Sequence, residues 1–304
     1  MKDVSPEVEM SAVLDTKSWL RKPHLIQLNL CVAVILLSST TMGFDGSMMN
    51  GLQSLDTWFA YFGNPDGTWL GLMNAVMPLG VVSTPLHWGL RPQVLTIPLF
   101  KTQILAAFPA GWLSDTVGRR YTIMVGTVIF MAAAAMQAAS HNVATFIVSR
   151  FFVGVGIDFA CVPAPVLISE IAYPTHRGKL TSLFQTTFFL GSIASSWATF
   201  GTFHMTNSTW SWRIPSALQA FFPVLQFVGL WFVPESPRWL IAKGKHEEAR
   251  RFILRYYAGG DENNPIVERE FQEISARISA EEAADGMGWS SVSRQLYLCI
   301  WPRT

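Results

Sequence analysis

Two charged residues stand where charge is expensive, and they are the first candidates for chemistry in this chain of 304 residues. Asp45 is the only acid in the apolar run Leu25–Gly46, and Arg150 is the only cation in the apolar run Val143–Ile168. An isolated charge at bilayer depth costs roughly 2.5–3.5 kcal/mol on insertion scales, so each should have a partner. The alternative for Asp45 is that it caps the outer end of its helix beside water. Gln185 and Gln219 carry amides, which both donate and accept hydrogen bonds, inside two further apolar runs. The ordinary use of such an amide is a hydrogen bond between helices. Asp115, Arg119, Arg120, Glu170, Arg177, Glu235 and Arg238 occupy the short charged segments between runs. The basic members would orient the chain by the positive-inside rule, but acids contribute little to orientation, so Asp115, Glu170 and Glu235 call for another role. The six histidines and three scattered cysteines show no metal-ligand spacing, and no nucleophile constellation or phosphate loop is present. No enzyme, cofactor or metal is therefore expected, and a net charge of +1 gives no reason to expect nucleic acid.

The elements that must hold these residues are apolar runs of membrane length. Half of the residues are hydrophobic and only 14% are charged, against about 25% in an ordinary soluble domain. Residues 1–24 read as a polar cytoplasmic tail ending in Arg21 and Lys22 beside the first span. Leu25–Gly46 is long enough to cross a hydrocarbon core. Asn50–Trp69, without Lys or Arg, reads as an external loop. Tyr121–Ala139, Val143–Ile168, Leu180 to about Gly201 and Ile214–Val233 supply further spans, with a very short external turn at His141–Asn142 and a cytoplasmic loop at Glu170–Lys179. Asn207-Ser208-Thr209 is a glycosylation sequon on an expected external face. Residues 234–287 are basic, with apolar positions Ile266, Phe271, Ile274 and Ile278 at helical spacing, and read as short cytoplasmic helices. The tail 288–304 is too short to add a span. The expectation is an all-α integral membrane protein in a lipid bilayer, with a bundle over 25–233, about six crossings and both termini cytoplasmic.

Residues 70–113 admit two readings. Two complete spans would place Arg119 and Arg120 outside and invert every later loop. One net crossing, formed from Leu70–Val81 and Ile104–Leu113, puts them inside with Arg177, Lys179 and the basic segment after Phe232. Charge parity selects the single crossing. Residues 82–103, with Pro85, Arg91, Pro92, Pro98 and Lys101, are then read as an insertion from a translated intron or a misplaced gene boundary.

Several motifs fall in one order along this frame. Gly111–Arg120 reads G-W-L-S-D-T-V-G-R-R after the second span, and Arg150–Gly156 reads R-F-F-V-G-V-G in the fourth. Glu170 with Arg177-Gly178 follows, and Pro234–Leu240 reads P-E-S-P-R-W-L after the sixth. With Gly43–Gly46 and Asn50-Gly51, this set resembles the N-terminal half of the sugar porter branch of the major facilitator superfamily, in particular fungal lactose permease-like and hexose transporters. The resemblance implies six helices of a two-half carrier with substrate held between the halves, and function as a sugar transporter by alternating access, with proton symport, in the plasma membrane. Asp45 would accept the proton, with Arg150 as its counter-charge. Gln185, and as a weaker candidate Gln219, would contact a mono- or disaccharide, on which Trp197 and Phe221–Phe222 could stack. The seven cytoplasmic charges would form a gate of ion pairs that part when the carrier opens inward. The second-half sugar contacts fall outside the chain, which adds two rival readings: a non-transporting sugar sensor and an inactive truncated transporter fragment.

Overall fold

The computed structural model describes residues 22–65, 67–81, 109–205 and 208–285. The segment 82–103, the sequon residue Asn207 and the tail 288–304 lie outside them. The described residues form helices and contain no strand: α1 Pro23–Leu52, α2 Asp56–Tyr61, α3 Gly67–Val81, α4 over 109–116, α5 Arg119–Ala138, α6 Val143–Cys161, α7 Pro163–Ile171, α8 Arg177–Phe203, α9 Trp210–Leu218, α10 Phe221–Leu230, α11 Pro237–Ala242, α12 His246–Tyr256 and α13 Pro265–Asp285. They fall into two compact units, one over Ile26–Ser236 and one that contains Pro237–Asp285.

Pairwise contacts fix the directions of the helices in the larger unit. Thr40 Oγ1 donates to the Thr187 carbonyl, Ser47 and Ser192 share a hydroxyl–hydroxyl bond, and Gly51 abuts Thr199. Numbers rise together along both helices, so α1 and α8 are parallel. Asp45 meets Arg150 and Ser38 meets Cys161, so α6 is antiparallel to α1. Gly126 faces Ala160 while Phe130 faces Gly156, so α5 is antiparallel to α6 and parallel to α1. Ser38 bonds Gln226, and Cys31 reaches the Phe232 carbonyl, so α10 returns toward the start of α1. The chain thus leaves α1 at one end of the bundle and enters α5 at the other, which is the parity the charge distribution requires. Arg119, Arg120, Glu170, Arg177 and Glu235 share the end at which α1 begins.

Several boundaries differ from those read in the sequence. Asn50–Trp69 is not a loop. Helix α1 continues to Leu52 because Phe44, Met48, Met49 and Leu52 keep an apolar face against Trp58, Phe62, Phe146 and Trp212, and α2 completes that cluster. The Gly and Asn content misled there because packing overrides local propensity. The run Val143–Ile168 is broken at Val162, since Pro163 and Pro165 give no amide proton to the preceding turn. Ile214–Val233 is likewise two helices, α9 and α10, with Pro223 in the first turn of α10. Glu170 lies on α7 rather than in a loop. The helices α1 and α5 and the stretch Val143–Ile171 are each long and apolar enough to cross a membrane.

The surface of this unit is more apolar than a soluble protein's, and its interior also holds polar side chains. Trp197, Phe200, Phe203, Phe221, Val228, Trp231 and Phe232 are all more than half exposed, while Ser38, Thr40, Thr122, Gln137, Ser195, Gln219 and Gln226 are buried. Apolar surface on this scale suits hydrocarbon rather than water, and the small hydroxyl residues inside allow helices to approach closely. In the smaller unit Trp239, Leu240, Ile241 and Ala249 pack on Phe271, Ile274 and Ile278, three of the four residues spaced helically in the sequence.

Candidate functional site

Two constellations occupy the larger unit, one within the bundle and one at the end where α1 begins. In the first, Arg150 Nη1 donates to Asp45 Oδ1 at 2.5 Å. Asp45 is 0% exposed and Arg150 2%. Asp45 Oδ2 and Arg150 Nε have no hydrogen-bond partner, so the pair is held by a single bond rather than a two-pronged one. The reading of Asp45 as a cap beside water is overturned, because α1 runs on about two further turns beyond it. Beside the pair, α1 also approaches α8 backbone to backbone. A Cβ at Gly43 would collide with the Phe188 carbonyl, and one at Gly191 with the Thr40 carbonyl. Only glycines let α1 and α8 pack this closely.

The predicted amides separate. Gln185 is exposed on α8. Gln219 is buried and donates to Gln137 Oε1 at 3.3 Å, joining the α9–α10 break to α5. Trp197 is 70% exposed and Phe221 54%, whereas Phe222 turns inward against Phe44, with ring centroids 6.0 Å apart. A cleft of about 430 Å³ opens between the far halves of α1 and α8, lined by Ser47, Asn50, Ser54, Ser196, Thr199 and Phe200 among others. Gln185 does not line it.

At the charged end, Gly118 has φ 119, a conformation that side chains disfavour, and it turns the chain into α5. The first turn of a helix leaves amide protons unpaired and carries partial positive charge. Glu235 supplies both needs, accepting from the amides of Arg119 at 3.1 Å and Arg120 at 3.2 Å, and from its neighbour Ser236 at 3.0 Å. Arg119 then bridges Asp115 at 3.2 Å and Glu170 at 3.3 Å, while Arg120 donates to the Trp231 carbonyl. Burial pushes the Glu235 carboxyl above its ordinary value, and its amide hydrogen bonds and Arg119 offset this in part. Five of the seven predicted charges therefore meet. Arg177 forms no ion pair among the described residues, and Arg238 pairs with Glu281 within the smaller unit.

Sequence reasoning missed Asp158. It is 2% exposed on α6, and its Oδ1 has no hydrogen-bond partner. The signal was available, since Asp158 is an acid in the same apolar run as Arg150.

With this geometry in hand, the comparisons with known proteins are specific. The structure is similar to that of the major facilitator superfamily proton:xylose symporter XylE bound to 6-bromo-6-deoxy-D-glucose, with a TM-score of 0.69 and 21% identity, covering 86% of this chain and 55% of that one. The fold is thus a partial major facilitator fold, and the protein is a multi-pass membrane protein. The family model described as sugar (and other) transporter matches residues 30–302, and the chain belongs to that family. It is 26% identical over 293 residues to high-affinity glucose transporter 1 of Candida albicans, covering 96% of this chain and 49% of that protein. It is 35% identical over 192 residues to the human proton myo-inositol cotransporter, covering 63% of this chain and 28% of that protein. The chain spans about half the length of the curated relatives it matches.

Proposed function

We propose that the whole protein carries a sugar across the plasma membrane by alternating access, coupled to a proton. The observation that carries this reading is the sequestered Asp45–Arg150 pair. Its single hydrogen bond is a suitable switch: protonating Asp45 removes the charge that holds the guanidinium and frees Arg150 to take another acceptor. Membership of the sugar transporter family supports a sugar as cargo, and relatives named as a proton myo-inositol cotransporter and a proton:xylose symporter support the coupling ion. Gln185 is proposed as a sugar contact because it is the free amide of the pair singled out in the sequence; Gln219 is already held by Gln137. The network of Glu235, Arg119, Asp115 and Glu170 is proposed as the gate, closed while the carrier faces outward, with that end and both termini cytoplasmic. Residues 25–233 are read as the bundle, and 1–24 and 234–287 as cytoplasmic. The test is sugar uptake against external pH by the full-length protein. Asp45→Asn should abolish the pH dependence; a dependence that survives intact would remove Asp45 from the coupling.

A further inference from the structure

Asp158 is a buried acid that the mechanism above does not use. It lies on α6 about 12 Å of helix rise from Arg150, at ~1.5 Å per residue, toward the end of the bundle that carries Arg119. An acid at this depth is stable only if it is paired or neutral. The elements around it decide which. Helix α6 packs against α3, α5 and α7 and touches α1 through Asp45 and Ser38. Helix α3 carries no titratable side chain; α5 carries Arg119, Arg120 and Tyr121 only in its first turn. Glu170 near the end of α7 belongs to the gate, and α1 offers His24 at its start, Cys31 and the already paired Asp45. On α6 itself the titratable neighbours are Arg150, engaged with Asp45, and Cys161. No cation forms a salt bridge with Asp158 among the described residues.

A metal cation would need several oxygen or nitrogen ligands, and no group of three or more His, Cys, Asp or Glu among the described residues could hold one. A proton needs a single oxygen. The helix break immediately beyond adds polar groups at the same level: Pro163 and Pro165 cannot supply the amide protons that the carbonyls of Phe159 and Cys161 would otherwise receive. These carbonyls can accept from water or from a carboxylic acid.

We propose that Asp158 is a second proton-exchange site, relaying protons between the Asp45–Arg150 pair and the Arg119 end of the bundle. The relay rests on the symport reading above; the protonation of Asp158 does not. In each cycle the carboxylate takes a proton from Asp45 through water, forming one O–H bond, and releases the same proton to water at the Arg119 end, with no electron transfer.

Infrared difference spectroscopy of the full-length protein in lipid, recorded across a pH jump, tests both parts without a sugar. Wild type should give a buried carboxylic-acid band that Asp158→Asn removes, Asp45→Asn retains and Asp158→Glu restores at a shifted position. The response of the Asp45 band to the jump should slow in Asp158→Asn, an isosteric change that mimics the neutral acid and keeps the fold. A spectrum unaltered by Asp158→Asn would overturn the site, and an unaltered Asp45 response would overturn the relay. If wild type moves no protons with sugar, the symport reading fails, while the Asp158 band still reports on the site itself.

Discussion

The Asp45–Arg150 pair is bound by one hydrogen bond although both residues are buried. A buried ion pair roughly balances its own desolvation, whereas removing one partner strands a charge at a cost of about 3–5 kcal/mol. Asp45→Ala should therefore lower stability by that order, and Asp45→Asn combined with Arg150→Gln should recover much of it; thermal unfolding in detergent reads both. Glu235 responds to pH in a definite direction. Its carboxyl is raised by burial, so the folded chain binds this proton more tightly than the unfolded one. The stability it contributes is full below the ordinary glutamate value and is lost as pH rises through the elevated one. Glu235→Gln keeps an acceptor for the amides of α5 and should flatten that stretch of the profile, measured from about pH 4 to pH 8. An unchanged slope would mean another group sets it. At this scale the sequence was readable where a lone charge stood out from an apolar run, as at Asp45 and Arg150, but Asp158, a second charge in the run of Arg150, was passed over. Glu235 stood out as an acid between runs, but its partners were not readable, since its bonds run to amides more than a hundred residues away.

Between elements, the contact of α1 with α8 is made backbone to backbone at Gly43 and Gly191. Gly191→Ala should destabilise the bundle by about 1–3 kcal/mol through overpacking, while Gly178→Ala, on the open side of α8, should have little effect. Melting temperatures of the two variants compare them directly, and equal values would remove the close approach from the account. Helix type and order were legible because long apolar runs admit little else. Ends and breaks were less so: α1 outlasts its apolar composition because Met48 and Leu52 have the Trp58 cluster to bury against, and a local window does not contain Trp58.

For the molecule as a whole, the helix directions imply that Ser54 and Thr175 face opposite sides of the membrane. Cysteines introduced at these exposed positions should react with an impermeant thiol reagent from opposite sides of intact cells, Ser54→Cys from outside. Labelling of both from one side would contradict these helix directions. Membrane-length runs were expected from composition and their sides from charge parity, because the bilayer fixes span length and the arginines fix sides; among the described residues α1, α5 and Val143–Ile171 have that length and apolarity. The Glu235 contact also has a consequence for biosynthesis. The first turn of α5 emerges from the ribosome long before the residue that completes it, so the nascent bundle must hold Arg119 and Arg120 unlatched until α10 has been inserted. Closure of the charged end is then a late checkpoint in assembly, and a chain arrested before residue 235 would present an open Arg119 segment to proteases and chaperones.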